Sequence, residues 1–197
     1  MEDNVYAPPA SDVVAPAPSG LGDEFYVVAP LKFCLLFFLT LGLYQLYWFY
    51  MQWARYRRRH PGETLWPVAR AIFAVFFAHA LAGRIDEALR ARGARHDWAP
   101  GAVATIYVIA QIASSVLDRL SSREIGSPFT DVASLVLLAP VGLSLLRLQR
   151  AANLACGDPD GDSNRRLSAL NYVWLVLGAL LWLSLLAGLF ALYVLPD

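Results

Sequence analysis

Residues 32–60 read KFCLLFFLTLGLYQLYWFYMQWARYRRRH. An apolar run comes first, a band of aromatic rings second, and four arginines within five residues last. That order matches the cross-section of one membrane boundary: hydrocarbon, interface, charged surface. It predicts a helix over Phe33–Trp53. Its ring-rich second half would lie at the interface, and Arg55, Arg57, Arg58 and Arg59 would point to the cytoplasm.

Outward from this stretch the chain keeps the same character. Of 197 residues, 57% are hydrophobic and 16% charged, more apolar and less charged than soluble domains. The excess falls in runs too long for the strands of a soluble core. Net charge is zero, which gives no general basic character of the kind nucleic acid requires. These features predict an all-α integral membrane helical bundle over residues 31–197. Residues 1–30, with prolines at 8, 9, 16 and 18 and acidic charges, predict a disordered Pro/Ala-rich tail.

Leu65–Arg95 is ambiguous. Pro67 suits a helix start, and Ala71–Ala82 is apolar on all sides apart from His79. Arg70 and Arg84 bound it to about 12 residues, or about 18 Å of helix, against a hydrocarbon core of about 30 Å. A half-inserted or re-entrant helix is expected. Beyond it, spans are expected over Gly101–Leu117, Phe129–Leu146 and Leu170–Leu195. The third of these four spans carries Pro140 and Gly142, and its helix should run on in water and stop at Gly157.

The positions of the arginines test this layout. If Leu65–Arg95 does not cross, only Lys32, Arg119 and Arg123 of the sixteen basic residues lie opposite the rest. If it crosses, giving five spans, Arg55, Arg57, Arg58 and Arg59 join Arg119 and Arg123, and Arg70 enters the bilayer at a cost of up to about 2.5–3.5 kcal/mol. The positive-inside rule favours four spans plus the half-inserted helix, with both termini outside the cytoplasm. Cys34 and Cys156 then fall on opposite sides and cannot pair.

No HExxH, GxSxG, CxxC or P-loop pattern occurs, and no catalytic, metal or cofactor residues are assigned. Asp158-Pro-Asp160-Gly-Asp162 starts like a calcium loop, but its sixth position is Ser163 and its twelfth Ala169, so an acidic turn is expected. Three features remain. The arginines at 55, 57, 58 and 59, with Trp53 and Tyr56, are a candidate contact for anionic lipid, although topology alone also accounts for such a cluster. Ala74, Ala78 and Ala82, Ala110 with Ser114, and Ser184 with Gly188 are candidate helix-packing faces. His79 and Gln111 are polar at membrane depth, and His79 is expected to bond Gln111, Ser114 or Ser115.

TLGLYQLYWFYMQW (40–53), GETLWPVARAIFAVFFAHAL (62–81) and NYVWLVLGALLWL (171–183) together resemble a group of small multi-span membrane proteins of Gram-negative bacteria with no assigned function. The resemblance implies the bacterial inner membrane and supplies no activity. The residues favour a non-catalytic membrane protein that packs with itself or a membrane partner. A transporter or channel subunit using Pro140, Gly142 and Gln111, and a lipid-acting enzyme using His79, are the alternatives.

Overall fold

The structure, a computed structural model, describes residues 22–94 and 96–193, and it is helical throughout apart from loops and turns. The helices are α1 (Pro30–Leu39), α2 (Tyr44–Arg59), α3 (Pro67–Ile72), α4 (Ala74–Ala91), α5 (Pro100–Ser121), α6 (Phe129–Ala155) and α7 (Ala169–Tyr193), with a 3₁₀ turn at Asp162–Asn164. Three of them, α5, α6 and α7, are long and apolar enough to cross a membrane. Both α5 and α7 begin where the sequence places them, and Pro100 opens α5.

The single helix expected over Phe33–Trp53 is two helices. Thr40 ends α1 by bonding its hydroxyl back to the Leu36 carbonyl at 2.7 Å, and it accepts from the Tyr44 N–H at 3.0 Å. Leu41 and Gly42 follow with φ of 49° and 83°. The Gly42 N–H reaches the Phe37 carbonyl and the Leu41 N–H the Phe38 carbonyl, the paired bonds of a Schellman stop. The chain then turns back. At ten residues α1 is about 15 Å long, half of a hydrocarbon core.

Side-chain neighbours give the depth of this hairpin. Val28, just before α1, bonds Asn153 near the C-terminus of α6. Phe37 lies against Gly142, the midpoint of α6, and Gly42 lies by Leu138. On the return, Gln45 of α2 accepts from the Tyr107 hydroxyl, and Trp48 and Gln52 meet Gln149. The hairpin therefore enters and leaves at one end of the bundle, which we call the arginine end.

The next pair behaves alike. Phe73, with ψ 38°, separates α3 from α4. Glu63, ahead of α3, accepts from Arg84 in the second half of α4 at 3.3 Å. Both ends of this pair thus meet at the arginine end. The Ala74, Ala78 and Ala82 stripe is buried as α4 packs on α5 and α6.

Three expectations are corrected. Of the tail expected over residues 1–30, the part up to residue 21 lies outside the described residues. Phe25, Tyr26, Val28 and Ala29, however, are core residues. This segment also sits at the arginine end: Asp23 pairs with Arg55 and Arg59, and Glu24 with His60. Lys32 belongs there too, not across from the arginines. Cys34 lies near Arg150 and Cys156 against the Phe25 carbonyl, so the two free thiols share one half of the bundle.

Candidate functional site

Residues Tyr26–Ala29 lie outside any helix or turn, and Tyr26 and Val28, two apart, direct their backbone groups to the same set of side chains. Side-chain amides take the place of a neighbouring strand. The Tyr26 N–H donates to Gln52 Oε1 at 3.0 Å, and its carbonyl accepts from Gln52 Nε2 at 3.2 Å and Gln149 Nε2 at 2.9 Å. Two residues on, the Val28 N–H donates to Asn153 Oδ1 at 3.2 Å and its carbonyl accepts from Asn153 Nδ2 at 2.9 Å. The carbonyl of Val27, facing the other way, accepts from Asn164 at 2.8 Å. Gln149 and Asn153, one turn apart on α6, bond each other, and Trp48 Nε1 donates to Gln149. Gln52, Gln149 and Asn153 are all fully buried, so this network meets the demand that buried polar groups be paired.

Beside it, Lys32 donates at 2.7 Å both to Asn164 Oδ1 and to the Arg166 carbonyl. The loop it grips is shaped by Asp158. That carboxylate accepts from the N–H groups of Asp162 and Ser163, each at 2.9 Å, and so caps the 3₁₀ turn. The acidic stretch 158–162 is a turn built on its own backbone. Gly157, with φ 78°, closes α6 as its sequence position implies.

The arginine cluster does not present its aromatic neighbours to solvent or lipid. Trp53 is fully buried, Tyr56 nearly so. The guanidinium of Arg70 lies 4.2 Å over the Trp53 ring, and that of Arg84 lies 5.5 Å over Tyr56. Of the arginines, Arg57 and Arg58 are exposed, while Arg55 and Arg59 reach Asp23. His79 bonds Thr105 at 3.0 Å, one turn from the α5 start and far from Gln111, Ser114 and Ser115. Neither His79 nor Gln111 is buried.

At the opposite end, a cleft of about 1010 Å³ separates the α5–α6 hairpin from the second half of α7. Its walls include Leu41, Ser114, Ser134, Leu138, Ser184 and Gly188, together with Asp131, which accepts from Ser121 and Ser127. The predicted small residues divide accordingly. Ala110 is buried, Ser114 and Ser184 line the cleft, and Gly188 has nothing within 4 Å of where a Cβ would sit. The close approach of α7 is made elsewhere: a Cβ on Gly178 would stand 2.2 Å from the Leu39 carbonyl oxygen, and Trp182 donates to the Phe38 carbonyl at 3.1 Å. Position 178 sits midway between two aromatic residues spaced eight apart, Trp174 and Trp182, which mark the contact face of α7 where Ser184 and Gly188 do not.

Among the described residues no group of three His, Cys, Asp or Glu side chains is placed to hold a metal ion. No family model matches the chain, and neither a curated protein nor a solved structure matches it.

Proposed function

We propose that the chain is a non-catalytic protein of the bacterial inner membrane that packs with a second copy of itself or with another membrane protein. In this reading α5, α6 and α7 cross the bilayer, and α1–α2 and α3–α4 enter from the arginine end and return. The arginine end faces the cytoplasm, with only Arg119 and Arg123 on the other side. Arg57 and Arg58 remain exposed to meet anionic headgroups.

The observation that carries the packing role is the cleft between the α5–α6 hairpin and α7. Its walls carry Ser114, Ser184 and Gly188. Lipid tails cannot bond serine hydroxyls, whereas a helix can approach small residues closely and supply partners. Gln111 does not line this cleft, so a water path past that residue gains no support from it.

Oxidative crosslinking of Gly188→Cys in native membranes tests the reading. A specific adduct, dimeric or with one other membrane protein, is the expected result. A chain that stays monomeric and unaccompanied at this position and at Ser184→Cys would sink it.

A further inference from the structure

We propose that the protein is a one-sided wedge: α1–α4 add helix cross-section to the leaflet at the arginine end, only α5–α7 occupy the other, and the protein therefore prefers membranes in which the arginine-side leaflet is convex. This uses the membrane placement proposed above but not the packing role.

The depth of each extra helix is fixed by its contacts. At the tip of α1–α2, Gly42 lies beside Leu138, and Phe37 and Phe38 just before it lie against Gly142, near the middle of α6. Its two ends return to within ion-pair reach of each other, with Glu24 and His60 3.5 Å apart. The α3–α4 pair is closed in the same plane by Glu63 and Arg84, and Arg92 lies beside Gly157 at the end of α6.

The outer faces of both pairs are made for hydrocarbon. Leu31, Leu35 and Leu39 form an exposed row on α1 at intervals of four, and Ile72, Phe73 and Phe76 are exposed around the α3–α4 tip. Polar anchors stop these elements from sliding deeper: Lys32 is held by Asn164 and Arg166, and the second half of α4 carries Arg84, Asp86 and Arg90 in ion pairs. The outer half of the bundle has no matching insertions among the described residues. Unequal area in the two leaflets is the physical basis on which interfacial helices respond to curvature.

The test uses the full chain with one reporter cysteine, Asp160→Cys at the arginine end or Glu124→Cys at the other, in a Cys34→Ala, Cys156→Ala background. Each is reconstituted into phosphatidylcholine vesicles, large extruded or small sonicated, so that lipid charge plays no part. A membrane-impermeant maleimide then reports the outward-facing share before and after detergent. In small vesicles the outer leaflet is convex. The expected result is a rise of about twofold in the outward share of Asp160→Cys and a corresponding fall for Glu124→Cys. Equal shares in both vesicle sizes, or the opposite trend, would overturn the proposal. Trypsin cleavage of the wild-type chain after Arg165 and Arg166 gives the same readout without substitutions. Arg58→Cys must label with Asp160→Cys; labelling with Glu124→Cys would end the wedge outright.

Discussion

The Asn153 side chain bonds both backbone groups of Val28, 125 residues earlier in the chain, donating to its carbonyl at 2.9 Å and accepting from its N–H at 3.2 Å. A side-chain amide presents an N–H donor beside a carbonyl acceptor, as the backbone of a paired strand does, so it can stand in for a strand. Here it joins the end of α6 to the start of the hairpin. The chain entering α1 is thus positioned by hydrogen bonds as well as by the rings of Phe25 and Tyr26.

Asn153→Ala removes both bonds and the acceptor for Gln149. Each buried group left unmet costs about 1–3 kcal/mol. The variant should release residues 25–29 before the bundle itself melts, seen as early hydrogen exchange at Tyr26 and Val28. If those amides stay as protected as in wild type, the amides of Gln52 and Gln149 are sufficient and Asn153 is not the anchor.

These features differ in how readily the sequence discloses them. Pro100 marks the start of α5 and Gly157 the end of α6 because local stereochemistry governs both. The alanine stripe at 74, 78 and 82 is legible because a period of four follows from helix geometry alone. The break at Thr40–Leu43 is not. Leu41 has no intrinsic preference for positive φ, and Thr40 and Gly42 sit within an unbroken apolar run. Gln45 and Gln52 were the available signal, since two glutamines on a lipid-spanning helix need partners. Trp53 and Tyr56 have the composition of an interface belt, yet they are buried because α3 folds back over them and places Arg70 on the Trp53 ring. The amide clamp depends on residues separated by 26 to 138 positions, which no local pattern encodes.

Lys32 has the role of a donor to two neutral acceptors, Asn164 Oδ1 and the Arg166 carbonyl. Lys32→Met keeps the apolar stem and removes the donors, leaving the 158–166 loop without its tie to α1. The expected outcome is faster trypsin cleavage after Arg165 and Arg166, with melting of the bundle shifted by less than the loop. Lys32→Arg should recover part of the protection. Cleavage at the wild-type rate in Lys32→Met would mean that Asn164 alone holds the loop through Tyr26 and Val27.

Acid should loosen the same loop. Burial acts to raise the Asp158 carboxyl, but hydrogen bonds from the Ser163 side chain and from the N–H groups of Ser163, Asp162 and Gly161 outweigh it and hold the group below the ordinary carboxylate range. A depressed folded value means that the stabilisation is complete above the unfolded value, about 4, and is lost as pH falls through the folded one. Amide protection at Asp162 and Ser163, corrected for intrinsic exchange, should therefore fall below about pH 4 in wild type. In Asp158→Asn it should be weaker throughout and flat with pH. A pH-independent wild type would show that the carboxylate does not cap the turn.

The seating of α7 predicts a contrast between two glycines ten residues apart. At Gly178 a Cβ would meet the Leu39 carbonyl oxygen at 2.2 Å and carbon at 2.7 Å, backbone atoms that cannot rotate away. Gly178→Ala must therefore push α7 off the end of α1 and stretch the 3.1 Å bond from Trp182 to the Phe38 carbonyl. Overpacking of this kind costs about 1–3 kcal/mol. At Gly188 the added methyl meets nothing, and within one chain it should be neutral or slightly stabilising through helix propensity. Thermal melting of the detergent-solubilised monomer, with Trp182 fluorescence as a local probe, separates the two. A loss for Gly178→Ala with none for Gly188→Ala is expected. If the substitutions cost the same, α7 is not held at Gly178, and the cleft beside it has no fixed wall.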